Sequence, residues 1–504
     1  MRITSAQLCD ELRKKLRNVQ TDSRLVAEGD VFVALPPAVP GERSKTASHI
    51  RMALERGAWA VVASARTVER MKLNLRGDRQ HAWLLVPDVR AQLGALAAAR
   101  FGTENLDIPV IAVTGTNGKT TCAYLLEHLY RSKGIPVGVM GTISYRWPGH
   151  EEPAPLTTPD CLTLHRSLAA MREAGAKAAI MEVSSHSIDQ KRIAGISFSA
   201  TAFTNLTQDH LDYHKTMENY FQAKRALFAD APKKNKAMVI NNDDPYGHRL
   251  LEEFPQALGT GLRTPLAGRP FLLADVRRAD TEGLSLHFYW QKNREERTDW
   301  EMHSPLIGLH NASNLSTVCG IALSMGFSVE DLSCLEGFMG VPGRLERIPV
   351  PGADKPWLPG AGTGIFVDYA HTPDALSNVL KTLAHAKFSR IITVFGCGGD
   401  RDRTKRAPMG RAVAELSDIA IVTSDNPRTE DPERIIDDIM PGLEGAKEVH
   451  RESDRRKALE LAVSLLKPGD ALLVAGKGHE NYQIIGTVKH HFSDQEILKE
   501  LVSC

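Results

Sequence analysis

The chain has 504 residues, 42% hydrophobic and 24% charged, which excludes a mainly disordered or fibrous protein and gives about three domains at ~150 residues each. Lys plus Arg is 62 against 61 Asp plus Glu, so the net charge of +1 offers no global electrostatic argument for a nucleic-acid partner. No apolar run approaches the ~20 residues of a membrane helix, and MRITSAQLCDELRKK lacks a signal-peptide core, so the expectation is a cytoplasmic protein without membrane insertion.

In chain order, Val31 to Leu35 reads as a short strand and Ala47 to Arg56 as a helix, the parts of a small α/β domain. A polar, Gly-containing join lies at Gly102 to Asp107. Val110 to Val113 then reads as a buried parallel strand, followed by a Gly-rich turn and a helix from about Thr120 to Lys133 that Gly134 stops. Val137 to Met140, Ala178 to Val183 and Thr201 to Phe203 read as further buried strands. A third region begins near Pro342-Gly343, with strands at Ile365 to Val367, Ile391 to Phe395, Ile419 to Thr423 and Ala471 to Ala475. Strand alternating with helix predicts parallel, doubly wound sheets. The expected architecture is α/β in three domains, 1–105, 106–340 and 341–504. The seven cysteines are scattered and form no C-x-x-C pair, so they read as reduced thiols, not a disulfide framework or zinc site.

Polar motifs follow these apolar runs directly, at 115–121, 182–186, 205–210, 368–371, 396–401, 425–428 and 476–480. Ligands bind at the carboxyl ends of strands in open α/β sheets, and two loaded sheets suggest a site between two domains. Gly115-Thr116-Asn117-Gly118-Lys119-Thr120-Thr121 has the parts of a nucleotide phosphate cradle. Its glycines let backbone N–H groups point at phosphate oxygens, and the following helix offers its positive N-terminus. Lys119 can reach the β- and γ-phosphates, and the Thr120 hydroxyl can ligate Mg²⁺. Val113 stands where the general Walker pattern has its first glycine. Glu182 closes a strand, as a metal-associated acid does, and His210 is flanked by Asp209 and Asp212, hard or borderline ligands. Lys224, in an amphipathic helical stretch from Tyr220 to Phe228, reads from composition alone as a surface lysine. Ser184-Ser185-His186 lacks the G-x-S-x-G elbow of a hydrolase.

TGTNGKTT resembles the signature of the Mur ligases, the ATP-dependent amide-forming enzymes of peptidoglycan precursor synthesis. Later motifs match in the family's order: EVSSH at 182–186, NLTQDHLD at 205–212, HNASN at 310–314, GRLE at 343–346 and DYAHTP at 368–373. The resemblance implies that a substrate carboxylate attacks the γ-phosphate of ATP, and that an amine then displaces phosphate from the acyl phosphate. It implies catalytic roles for Lys119, Glu182, His210 and Lys224, and ATP contacts from Gly115 to Thr121, Asn311, Asn314, Arg344 and Asp368. It implies two Mg²⁺ sites, with Thr120, Glu182, His210 and Lys224 as ligands, Lys224 as a CO₂-derived carbamate. Read by themselves, Asn311 and Asn314 could serve as helix caps or surface pairs.

Thr21-Asp22-Ser23-Arg24 resembles the family's uridine-site pattern, which assigns Ser23 to a UDP-sugar. Ala38 to Ser44 (AVPGERS) departs from the usual His- and Gly-containing loop there. Thr157, Thr158, Ser184, Gln190 and Arg192 match positions that hold the muramoyl-dipeptide, implying UDP-N-acetylmuramoyl-L-alanyl-D-glutamate as acceptor. Asp425-Asn426-Pro427-Arg428 resembles the motif of members that add meso-2,6-diaminopimelate. An Arg fork can take the distal carboxylate, and Asp425 or Glu480 the distal ammonium. Arg401 and Gly476 match the remaining positions for that substrate. A monomer is expected. Folylpolyglutamate synthases, which lack the N-terminal uridine-site domain, are a distant alternative. A catalytically silent homologue would show erosion of Lys119, Thr120, Glu182, His210 or Lys224, and all five are present.

Overall fold

The computed structural model describes residues 2–37, 45–72, 80–229, 236–263, 268–293, 296–349 and 363–503. The chain forms two compact units, one of residues 1–261, 265–271 and 317–332, the other of 262–264, 272–316 and 333–504. Among the described residues no helix is long and apolar enough to cross a membrane.

The first unit carries two sheets. The smaller runs Val19–Gln20, Val31–Val33, Ala60–Ala63 and Ala82–Leu85, all parallel. Successive side chains of a strand face opposite ways. Val31 and Val33 therefore enter one core with Leu8, Leu12 and Leu96, while Phe32 enters another with Ile50 and Trp83. Burial on both faces is why these strands read as continuous apolar runs.

The larger sheet has Val110–Thr114 at its centre, between Ala200–Phe203 and Ala178–Glu182 and parallel to both. Ala237–Asn241 and Leu258–Gly261 extend it on one side, and Val137–Met140 on the other. The antiparallel strands Ser144–Trp147 and His150–Pro153 complete that second side. The register pairs Val113 with Glu182 and Thr114 with Phe203. The loops after these three strands therefore leave the same edge side by side. The helix after the central strand runs Lys119–Ser132, and Gly134 takes φ 68° beyond its end, a left-handed turn suited to glycine.

The second unit contains a sheet in the order Glu346–Arg347, Gly364–Asp368, Ala471–Ala475, Ile391–Phe395, Ile419–Val422, Val449–Arg451. Only the first pairing is antiparallel. Four neighbouring strands thus deliver Asp368, Gly476, Gly396 and Thr423 to one edge. Behind two of these loops lies Arg455, wholly buried and paired with the equally buried Asp494 at 2.8 Å. Its guanidinium also donates to the carbonyls of Ser424 (3.3 Å) and Ala475 (3.1 Å), tying the ends of two strands together. Breaking one member of a buried pair strands the other charge. Asp494→Asn should cost about 3–5 kcal/mol of unfolding free energy, read as a lowered urea midpoint for this unit. A loss under about 1 kcal/mol, as for an exposed pair, would reject the strut.

Candidate functional site

The phosphate-loop candidate turns on two glycines with positive φ, Gly115 (152°) and Gly118 (85°). A Cβ at Gly115 would collide with Thr204 Oγ1, so only glycine fits against that neighbour. Asn205 clamps the loop: its carbonyl accepts from Thr116 N–H (2.9 Å) and its Oδ1 from Asn117 N–H (2.9 Å). Thr204 Oγ1 donates to the Asn117 carbonyl at 2.6 Å. The helix begins at Lys119 with no side-chain cap on its first-turn N–H groups, which include those of Thr120 and Thr121. Such N–H groups suit an anion. Lys119 Nζ donates to the carbonyls of Gly115 (3.0 Å) and Thr116 (2.8 Å).

Glu182 is 1% exposed, and its carboxylate is held on both oxygens. Thr120 Oγ1 and Thr142 Oγ1 each donate to Oε2 at 2.9 Å, and Thr142 N–H to Oε1 at 2.9 Å. A Cβ at Gly141 would strike Oε1, which reserves that position for glycine. The Thr120 hydroxyl beside the Glu182 carboxylate is a hard oxygen donor set. Among the described residues no three His, Cys, Asp or Glu side chains converge as a cage. A sparse oxygen site fits Mg²⁺, which binds through one or two carboxylates plus substrate phosphates. His210 is exposed, with φ 54°, and its ring meets that of His186 edge-on at 4.7 Å.

Lys224 corrects the reading of its helix as one that shows a lysine to solvent. The side chain is 1% exposed, and Nζ donates to the Gly115 carbonyl at 2.8 Å. Burial, with the nearby charge of Lys119, pushes its pKa well below the ordinary lysine value. The buried residues Tyr220, Phe221, Leu227 and Phe228 share one face of Met217–Ala229, and Lys224 stands at helical spacing from Tyr220 and Phe228. That periodicity was a signal for burial. Thr142 carried none.

The acceptor candidates join the same network. Thr157 Oγ1 and Thr142 Oγ1 share a hydrogen bond of 3.2 Å. Thr158 Oγ1 donates to the Glu182 carbonyl at 2.9 Å and accepts from Ser184 N–H at 3.0 Å. Arg192 donates to the Thr158 carbonyl (3.3 Å) and to Gln190 Oε1 (2.7 Å). Ser23 is not brought into that network. It lines a cavity of about 520 Å³ with Thr21, Lys45 and His49. Thr21 also borders a cavity of about 300 Å³ that includes Gln190 and Arg192. Ala38 to Ser44 lies outside the described residues.

In the second unit Asn311 and Asn314 are buried, not surface pairs. Asn311 Nδ2 donates to the Ile307 carbonyl (2.9 Å) and Asn314 Nδ2 to Asn311 Oδ1 (3.1 Å). Asp368 accepts from the N–H groups of Leu345 (2.6 Å) and Ala370 (2.7 Å), and burial raises its pKa against the opposing pull of Arg344. The Arg344 guanidinium lies 5.2 Å over the Tyr369 ring. Gly343 packs so tightly on Gly478 and His479 that a Cβ would overlap their backbone. That contact joins the Arg344–Asp368 group to the 476–480 loop.

Three further loops form one cluster. Arg428, at φ 53°, is braced by main chain: its guanidinium donates to the Gly399 carbonyl at 2.8 Å. Its N–H donates to Ile484 O at 3.0 Å, within the hairpin Tyr482–Ile485 and Val488–His491. Asp425 and Asn426 are buried, and Asn426 Nδ2 donates to Glu480 Oε2 at 2.9 Å. Pro427 follows in the turn, and its carbonyl leaves no room for a Cβ at Gly399. Gly476, at φ 113°, leaves no room for a Cβ beside Asp425. Arg401 donates to the neighbouring Asp400 carbonyl at 3.1 Å. Arg455 and Lys477, which the motif reading passed over, support this cluster from beneath.

Residues 113–322 match the Mur ligase middle domain, and residues 356–478 the Mur ligase, glutamate ligase domain. The chain belongs to the Mur ligase family. It is 50% identical over 495 residues to a protein of Lawsonia intracellularis, named UDP-N-acetylmuramoyl-L-alanyl-D-glutamate–2,6-diaminopimelate ligase, covering 98% of each chain. A Geobacter metallireducens protein of the same name is 41% identical over 518 residues, covering 98% of this chain and 95% of its own. A solved structure of a ligase with that name is 33% identical with a TM-score of 0.68, covering 96% of this chain and 94% of its own. A Thermotoga maritima MurF ligase, solved with ADP, is 19% identical at a TM-score of 0.54, covering 98% of both chains, and shares the fold. This Mur ligase is an α/β enzyme of the ATP-dependent ligase class.

Proposed function

We propose that this ligase joins meso-2,6-diaminopimelate to UDP-N-acetylmuramoyl-L-alanyl-D-glutamate, with ATP converted to ADP and phosphate. The observation that supports the reading is the loop cluster in which Asn426 bonds Glu480 and the Gly399 carbonyl braces Arg428, side chains whose charges suit a zwitterionic distal head. The full-length relatives named for this reaction support it. The domain limits in this reading are 1–105, 106–340 and 341–504.

Thr157, Thr158, Ser184, Gln190 and Arg192 orient the acceptor, with Ser23 at the uridine end. Gly115 to Thr121 hold the triphosphate, and Lys119 turns from its loop carbonyls to the terminal phosphates. Asn311, Asn314, Arg344 and Asp368 hold the rest of ATP. A substrate carboxylate oxygen bonds to the γ-phosphorus as the bond to the ADP oxygen breaks. The incoming amine then bonds to the acyl carbon, loses a proton, and inorganic phosphate departs. Thr120, Glu182, His210 and carbamylated Lys224 would hold Mg²⁺, which supplies charge neutralisation for two anions that must meet. Arg401, Asp425, Asn426, Pro427, Arg428, Gly476 and Glu480 bind the diaminopimelate.

The direct test is ADP release by the purified chain. Release should require both the UDP-sugar dipeptide and the amino acid, with amide product equal to ADP formed. Folded protein showing no substrate-dependent ADP release would overturn the reading in favour of a silent binding homologue.

A further inference from the structure

Lys477 is wholly buried beneath the cluster that carries the amino-acid reading, and no step of the proposed reaction uses it. Its Nζ lies 3.3 Å from Asn426 Oδ1 and 3.3 Å from Glu480 Oε2, donating to both. The same Asn426 Oδ1 accepts from Ile484 N–H at 2.9 Å, which fixes the carboxamide's orientation and turns its Nδ2 toward Glu480 Oε2. Glu480 is therefore gripped through Oε2 by two donors, while Tyr482 OH reaches its Oε1 at 3.3 Å. Asp425, Glu480 and Asp494 act on Lys477 with favourable charge, against burial and Arg455. A single ammonium at this depth thus organises an amide, a carboxylate and, through Ile484, the hairpin that braces Arg428.

We propose that Lys477 is a specificity-determining positioning residue, which locks Glu480 toward the distal ammonium and, through Asn426 and Ile484, holds the hairpin that braces Arg428 for the distal carboxylate of the amino-acid substrate. The inference rests on the amino-acid pocket assigned above. Lys477 need not touch the substrate. Without it, Glu480 keeps its charge but loses a fixed direction, and Arg428 loses the brace through which the pocket demands the distal carboxylate that L-lysine lacks. A side chain that served stability alone would affect all three substrates alike.

The test is steady-state kinetics of Lys477→Met in the full chain, with meso-diaminopimelate or L-lysine as amine. We expect KM for meso-diaminopimelate to rise at least tenfold. KM for ATP and for the UDP-sugar dipeptide should stay within twofold, and the preference over L-lysine should fall at least tenfold. Lys477→Gln, which keeps a neutral donor of similar length, should recover part of the loss, and it serves alone if the Met variant fails to fold. An unchanged KM and preference would overturn the inference. So would equal rises in all three KM values, or a fall in kcat alone. A wild-type enzyme that does not prefer meso-diaminopimelate would instead overturn the pocket assignment itself, so the two failures are distinguishable.

Discussion

Replacing Lys224 by alanine should lower the turnover of amide formation by about 10²–10³-fold, the scale of losing one preorganised charge-stabilising group. The side chain is sealed from solvent at the root of the phosphate loop, 2.8 Å from the Gly115 carbonyl. An ammonium there is penalised by desolvation and by Lys119, so the neutral amine is favoured far below the usual lysine pKa. A neutral amine is the form that adds to CO₂: the nitrogen bonds to carbon, loses a proton to water, and leaves an anionic carbamate. Carbamylation would replace a neutral amine by an anion, which would be a charge partner for Lys119 and for Mg²⁺. Bicarbonate should therefore raise the activity of wild-type enzyme stripped of CO₂ and leave Lys224→Ala unchanged. Near-native turnover in the alanine variant, with its melting temperature recorded to confirm folding, would reject the assignment.

The strands and their loaded ends were legible because parallel strands buried on both faces are short apolar runs, and the chain must turn polar where they stop. The strands at Val137 to Met140, Ile391 to Phe395 and Ala471 to Ala475 fall where the sequence places them. Glu182 and the phosphate loop come together because Val113 and Glu182 are register partners. Lys224 shows the limit of residue type as a guide. Lysine is a surface residue by composition, yet the apolar neighbours one turn away on either side, Tyr220 and Phe228, mark its position as buried. Thr142 lay beyond reach for a different reason. Its grip on Glu182 spans 40 residues of sequence and appears only once two strands lie side by side. Arg455 and Asp494, 39 residues apart, were hidden in the same way. Among the described residues Ser23 shares no hydrogen bond with the other acceptor candidates, so its assignment to the uridine end rests on the motif alone.

Wild-type enzyme should favour meso-diaminopimelate over L-lysine by about 10³-fold or more in kcat/KM, and Arg428→Ala should erase most of that ratio. The two amines differ in one respect that matters: lysine lacks the distal carboxylate. An Arg fork offers two parallel N–H donors to that group, and a site holding an unanswered guanidinium rejects the analogue. The setting of Arg428 suits the role proposed for it. Its left-handed backbone is fixed through bonds with the 482–491 hairpin, and the Gly399 carbonyl takes one guanidinium nitrogen at 2.8 Å, limiting how the fork can turn. A Cβ at Gly398 would come within 3.0 Å of that same nitrogen, so the neighbouring loop keeps room for it. Truncation to alanine should cost about 2–5 kcal/mol with meso-diaminopimelate, the range for removing one member of a desolvated charge pair. The rate with lysine should hold or rise, because the penalty of the unpaired guanidinium disappears with it. Arg428→Lys should recover only part of the preference, since a point charge on a flexible stem cannot reproduce a bidentate contact. Equal values for the two amines in the wild type would remove the distal-carboxylate assignment, and an unchanged ratio in Arg428→Ala would move the recognition to another residue of the cluster, with Arg401 the first to exchange.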